Sequence, residues 1–406
     1  MTLRIGFYLG DVSVLKGGVG PYAQRVARAL SAHRFNSAVD VRVLCNRGAL
    51  PDGVEPARVT YLGSNRGPRR SWNSVRGRAF RAVEQLVRRR SADPWREPAG
   101  GPIHRAARAH RLDLLHFPIQ HSPEENPGVP FVVTMHDVQE LHFPEFFSPA
   151  DRLHRAQFNL TATRNAAAVV VSFEHIRQDL IRLFGCDPSR VVVLPLPYAQ
   201  IGLSCAKPAD EAEMQAKYGT REGFFLYPAQ TWPHKNHLRL IEAFERVCRK
   251  SERSLRLVCT GVKNADHFPE IEARLARSPV RDRVSFTGLV DEGELAWLYR
   301  HCTATVVPTL YEAGSFPVLE AMRAGAPVVC ARTTSLPDTL GDERFLFDPQ
   351  DIGSIAQAMT RMASDAAFRV ASVENGARRM AELDAIDVGA AYEAFWLGLR
   401  DRLALR

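Results

Sequence analysis

The sequence predicts an α/β protein made of two successive doubly wound parallel sheets. Three observations carry this. Short apolar runs alternate with helical patterns along all 406 residues. The alternation begins afresh after a break near residue 200. Glycines, histidines, lysines and acids fall at the carboxyl ends of the strands, where open α/β sheets hold ligands. A chain of this length accommodates two domains of ordinary size. The expected boundaries are 1–200 and 201–385, with a terminal helical segment at 386–406.

Composition narrows the class. Hydrophobic content of 45% and charged content of 24% are those of a soluble globular chain. No apolar run approaches the ~18 residues of a membrane span. Leu3 to Leu9 lacks a cleavage site and reads as a buried first strand, not as a signal segment. The seven cysteines show no CxxC pair or metal spacing, which favours reduced core thiols and a cytoplasmic location. Charge is uneven. Residues 1–206 carry 27 Lys+Arg against 17 Asp+Glu, and residues 207–406 carry 26 against 28, so the excess positive charge belongs to the first half.

Element by element, Arg4 to Gly10 is a strand, followed by the turn Lys16-Gly17-Gly18-Val19-Gly20-Pro21 and a helix from Tyr22 to Leu30. This is the start of a βαβ unit. Gly18-x-Gly20-x-x-Ala23 satisfies the dinucleotide fingerprint literally. The strand Val41 to Cys45 ends in Asn46, however, where that motif needs an acid, so the glycine turn reads as a backbone approach to a phosphate or sugar. From Arg66 to Arg111 the chain is arginine-rich with apolar residues at helical spacing. The Arg66–Arg90 part suits either an anionic membrane surface or a solvated basic face. No stacking or groove-reading motif points to nucleic acid. Strands follow at Leu112–Phe117 and Pro130–Met135, the second ending in His136-Asp137. The aromatic loop His142 to Ser148 suits the lining of a cleft. A helix from Pro149 to Asn165, a strand from Ala168, a helix ending at Gly185 and a strand from Val191 complete the first domain.

The second alternation runs through strands at Phe224–Tyr227, Leu255–Thr260, Val284–Phe286, Ala304–Val307, Val328–Cys330 and Phe345–Phe347. Helical patterns close it at about 351–382 and 387–404. After its first strand stands Pro233-His234-Lys235-Asn236-His237, and after its second Gly261-Val262-Lys263. After the strand Ala304–Val307 comes Glu312-Ala313-Gly314-Ser315-Phe316-Pro317-Val318-Leu319-Glu320. Pro317 suits a helix start, and Gly325 with Pro327 its stop. The amides of Gly314, Ser315 and Phe316 would then form an anion site, with Lys235 as counter-charge. Carboxylates accept hydrogen bonds from vicinal hydroxyls, so two acids flanking a diphosphate site suit the two ends of a nucleotide sugar. No DxD-type acidic pair marks a metal, so lysine and amides would carry the phosphate charge.

These residues resemble the retaining GT-B glycosyltransferases of family 4, the group 1 glycosyl transferases. The likeness rests on Gly17 to Gly20, Thr134 to Asp137, Gln230 to His237 and Glu312 to Met322, the last containing an E-x7-E signature. It extends along nearly the whole chain. It implies two Rossmann-like domains facing across a cleft, with the C-terminal helix crossing back to the first. It implies transfer of a hexose or deoxyhexose, mannosyl-type favoured, from a GDP- or UDP-linked sugar to a hydroxyl of a lipid-linked or glycan acceptor. No metal or other cofactor is expected. Glu312 would bond the transferred sugar and Glu320 the ribose. Lys235, Asn236, Gly261 and the amides of Gly314 to Phe316 would hold the donor, with Gly18 and Gly20 closing over it. His136 and Asp137 would line the reacting centre, and a covalent role for Asp137 or Glu312 stays open. The enzyme would be cytoplasmic, or peripheral at the inner face of the membrane. Alternatives are a nucleotide-sugar epimerase and a non-catalytic nucleotide-sugar-binding protein. One departure stands out. Many members carry an arginine about six residues before the lysine, where this chain has Ala229; either Arg323, Arg332, Lys263 or another cation compensates, or donor binding is weaker.

Overall fold

The computed structural model describes residues 2–11, 18–47, 50–62, 100–124, 126–202, 210–219 and 222–404. The Arg66–Arg90 segment, read above as a membrane-facing candidate, lies outside the described residues.

Thirteen strands are present among the described residues: β1 (Leu3–Gly10), β2 (Val39–Asn46), β3 (Val59–Leu62), β4 (Leu114–Phe117), β5 (Phe131–Thr134), β6 (Ala168–Val171), β7 (Val191–Val193), β8 (Phe224–Pro228), β9 (Arg256–Thr260), β10 (Val284–Phe286), β11 (Ala304–Val307), β12 (Val328–Ala331) and β13 (Leu346–Phe347). They form two sheets, ordered β3-β2-β1-β4-β5-β6-β7 and β10-β9-β8-β11-β12-β13. The pairings are parallel, as in β1 with β4 and β8 with β11. Central strands such as β4, β5, β11 and β12 are buried along their whole length. Continuous Val/Leu/Phe runs are the signature of strands covered on both faces. β3 was not anticipated. It is a half-buried edge strand whose residues show no apolar run.

The order of the second sheet reverses direction between β8 and β11. At such a switch point the loops leaving neighbouring strands turn to opposite faces and open a crevice at the strands' carboxyl ends.

Packing divides the chain into two compact units, residues 1–135, 159–170 and 389–406 in one and 136–158 and 171–388 in the other. In the first, the helix Val388–Leu403 is anchored by its buried face. Trp396 Nε1 donates to His116 Nδ1 at 3.2 Å, and His116 Nε2 meets Thr134 Oγ1 at 3.1 Å. His116 is fully buried, and burial pushes its pKa down to about 3, so the ring is neutral and links β4, β5 and the helix. Tyr392 and Tyr22 share a 2.9 Å hydroxyl contact, and Glu393 Oε1 accepts from Asn36 N at 3.0 Å.

In the second unit the pattern read as one helix over 351–382 is two, Ile352–Ser364 and Ala366–Asp384. Asp365 breaks it. Its backbone is extended, and its carboxylate caps the next helix by accepting from Phe368 N at 2.9 Å. A side chain that competes for backbone amides favours a cap over a helix interior. The six described cysteines are free, and five of them are buried.

Candidate active site

The Glu312 turn leaves β11 and enters the helix Phe316–Arg323. Pro317 is its second residue, and Gly325, at φ +71°, follows the C-cap Ala324. Ser315 occupies the N-cap without capping through its side chain, and its hydroxyl is buried with no hydrogen-bond partner among the described residues. Gly314 packs closely on the Phe173 ring, from which a Cβ there would stand 3.0 Å.

Lys235 reaches Glu312 from the loop after β8. Its Nζ donates to Glu312 Oε1 at 2.6 Å, with both side chains largely buried. The two loops are joined at one carbonyl: Leu310 N donates to His234 O at 2.8 Å, and the Thr309 hydroxyl donates to the same oxygen at 3.1 Å. Asn236 adopts φ +63°, a conformation that Asn tolerates better than most residues. Its amide donates to Pro308 O at 2.9 Å and Pro349 O at 2.8 Å, tying the loops after β8, β11 and β13 together. Asn236, expected on the donor, here spends its amide protons on this tie. From the loop after β12, Thr334 Oγ1 accepts from Glu312 N at 3.0 Å and Ser335 Oγ donates to Glu312 O at 3.3 Å. Glu312 is therefore held from two other strand ends, its carboxylate by Lys235 after β8 and its backbone by Thr334 and Ser335 after β12.

Glu320 lies one turn into the helix and is half-buried. The fully buried Tyr299 donates towards Glu320 Oε2 at 3.1 Å and Pro317 O at 3.3 Å. Nothing in the sequence marked Tyr299, because it stands in an ordinary helical pattern on a different element, Glu292–His301.

The His136-Asp137 segment leaves β5 and belongs to this same unit. Asp137 pairs with Arg155, whose Nε donates to the buried Glu140 at 2.7 Å. Asp137 is thus engaged by a guanidinium from the helix Pro149–Asn165, a partner that sequence reading missed. The aromatic loop packs on Tyr311, immediately before Glu312. The His142 ring lies 5.4 Å and the Phe143 ring 6.5 Å from that of Tyr311, and the His175 ring lies 6.0 Å away. Burial pushes His175 down to about 4, so it is neutral near pH 7, and both its ring nitrogens lack a partner among the described residues. Gly18, exposed at the N-cap of the helix Val19–Ala32, and the buried Gly20 belong to the other unit.

At the departure from the expected arginine, Ala229 is buried, and Gly261 packs on it at φ +109°. A Cβ on Gly261 would stand 2.8 Å from the Ala229 carbonyl, so glycine is required there by backbone approach. The suggested substitutes are otherwise engaged. Arg323 forks onto Asp384 at 2.7 and 2.6 Å and also donates to Tyr198 O, Arg332 pairs with Glu343, and Lys263 lies 4.6 Å over the Phe268 ring. No cluster of three or more His, Cys, Asp or Glu suited to a metal occurs among the described residues.

Comparison with known proteins bears on the family and the fold. Residues 17–197 match the model of the glycosyl transferase 4-like domain, and residues 210–379 that of glycosyl transferases group 1. O-antigen chain mannosyltransferase B of Escherichia coli is 27% identical over 248 residues, covering 60% of this chain and 64% of that protein. The match thus takes in just under two thirds of that relative's length. D-inositol 3-phosphate glycosyltransferase of Kribbella flavida is 26% identical over 401 residues, covering 93% and 90%. Among solved structures, Anabaena HepE in complex with UDP-glucose shares the fold with a TM-score of 0.65, at 17% identity and covering 98% and 99% of the two chains. With both of its halves matched by the family's models, and with two parallel sheets of the GT-B type, the chain belongs to the group 1 glycosyltransferases.

Proposed function

We propose that the protein is a retaining, metal-independent hexosyltransferase. It moves a mannosyl-type hexose or deoxyhexose from a GDP- or UDP-linked sugar to a hydroxyl of a glycan or lipid-linked acceptor. The observation that carries this reading is the Lys235–Glu312 pair at the start of the helix Phe316–Arg323, at the switch point of the second sheet. A diphosphate entering there finds a cation, a helix N-terminus and carboxylates on either side of it. On binding, Lys235 turns from Glu312 to the phosphates. Glu312 is then released to accept a hydroxyl of the transferred sugar, while Glu320 accepts the ribose. The C1–O bond to phosphate breaks and a C1–O bond to the acceptor forms on the same face. The acceptor's proton passes to the departing phosphate oxygen.

The mannosyl preference draws support from the mannosyltransferases among the relatives, and the nucleotide donor from the neighbour solved with UDP-glucose. Neither the epimerase nor the binding-only alternative draws support from these relatives. No helix among the described residues is long and apolar enough to cross a membrane. Peripheral association through Arg66–Arg90 is kept as part of the proposal, on charge alone.

Thermal-shift titration with GDP-, UDP-, ADP- and dTDP-sugars identifies the donor, and NMR of the product's anomeric centre tests retention. Glu312→Ala is expected to abolish transfer with the melting transition preserved. Near-normal turnover in that variant sinks the assignment, and inactivation by a metal chelator sinks its metal independence.

A further inference from the structure

The helices His237–Lys250 and Ile352–Ser364 of the second unit leave an open groove of about 900 Å3 between them, which shares no residue with the Glu312 site. Arg246, Arg249, Lys250 and Arg361 line it. This concentration is notable because residues 207–406 carry no excess of positive charge. Elsewhere in this half the arginines are largely committed to acids: Arg274 to Glu245, Arg323 to Asp384, Arg344 to Asp342, and Arg378 and Arg379 to Glu382. Arg246, Arg249 and Lys250 form no ion pair or hydrogen bond among the described residues, and Arg249 acts on Glu245 only through its field. The acid on the groove wall, Asp365, is already occupied. It caps Phe368 N and stands 3.7 Å from Arg361.

The ordinary role for cations at such a place is to offset helix C-terminal dipoles. Arg249 and Lys250 stand in the last turn of their own helix, whereas for the helix Ile352–Ser364 that role is filled by residues outside the groove. The carbonyls ending the helix Ile352–Ser364 receive Arg369 at Met362 O, 2.7 Å, and Arg253 at Ala363 O, 3.3 Å. Arg246 stands a full turn before the end of its own helix. Its side chain is exposed and passes near Gly353, where an added Cβ would lie 3.6 Å from its Nη1 and 3.1 Å from Asp351 Oδ1. Asp365 offsets Arg361, which leaves Arg246, Arg249 and Lys250 as three like charges around one cavity, and an anion with more than one charge relieves their repulsion. Guanidinium forks match phosphate oxygens bidentately.

We propose that this groove is a binding site, separate from the donor site, for a ligand carrying at least two phosphate charges: a diphosphate or a phosphate ester. Such chemistry is offered by a soluble phosphorylated compound or by lipid headgroups, and the test separates the two. Titration calorimetry with inorganic pyrophosphate is run on full-length Lys235→Ala protein, so that the donor site does not contribute. Sedimentation with phosphatidylglycerol vesicles is run in parallel. Both are repeated after adding Arg246→Ala, Arg249→Ala and Lys250→Ala, all exposed positions whose replacement is expected to leave the melting temperature unchanged. The expected result is at least a tenfold loss of pyrophosphate affinity, with the parent's affinity falling as salt rises. Loss of vesicle binding in the same variant assigns the site to headgroups, and loss of pyrophosphate binding alone assigns it to a soluble ligand. A parent that binds neither probe, or a triple change that alters neither, overturns the proposal.

Discussion

Replacing Tyr299 by Phe isolates a single contact beneath the proposed donor site. The change removes one oxygen from a fully buried ring and leaves its packing in place. What is lost is the donor 3.1 Å from Glu320 Oε2 and 3.3 Å from Pro317 O. Burial, and then the charge of Glu320, hold the phenol well above its ordinary pKa, so it donates throughout any working pH range. A hydrogen bond to a charged group contributes ~1.5–3 kcal/mol when no water replaces it. Glu320 is half-buried, so water recovers part of this, and about 1.4 kcal/mol remains, equivalent to tenfold in an equilibrium constant. If Glu320 holds the ribose, steady-state kinetics should show the donor KM raised about tenfold and kcat within about twofold of the parent. Glu320→Gln should raise KM in the same way. The double variant should fall short of the sum of the two singles, because both act through one carboxylate. A Tyr299→Phe enzyme with the parent KM, or strictly additive effects, refutes the reasoning.

Other expectations are structural. Trp396→Phe leaves His116 Nδ1 buried without its donor and should cost ~1–3 kcal/mol in urea unfolding; an unchanged midpoint shows that the terminal helix is held by packing alone. Burial holds His116 and His237 down at about 3 in the folded protein, whereas an unfolded imidazole titrates near ~6.5. The unfolded chain therefore binds more protons below about pH 6.5, and stability falls as pH drops from there towards 3. At pH 5 each histidine should remove up to ~2 kcal/mol relative to pH 7.5. Urea midpoints equal at the two pH values contradict this.

Much of the fold was legible because its signals are local. Buried parallel strands are short continuous apolar runs, and twelve of the thirteen described strands coincide with runs visible in the sequence. The exception, β3, is an edge strand with only its last residue buried, so nothing selects for an apolar pattern there. The helix break at Asp365 was hidden for the opposite reason. The apolar period continues across it, and only a side-chain-to-amide bond ends the first helix and starts the second. Of the candidate site, Lys235, Glu312 and Glu320 were legible from turn chemistry and spacing. Their supports were not. Tyr299, Thr334 and Arg155 are ordinary residues in sequence and become specific only through what they touch.

By itself the sequence determined that this chain forms strand–turn–helix units with charged and small residues at strand ends, since those are properties of a few neighbouring residues. Which ends meet was decided by the tertiary structure. Lys235 and Glu312 stand 77 positions apart and form an ion pair because β8 and β11 are neighbours in the sheet. All-apolar strands carry no mark of their partner, so the pairing order follows from the packing of the whole unit, and the crevice between those two strands follows from the order.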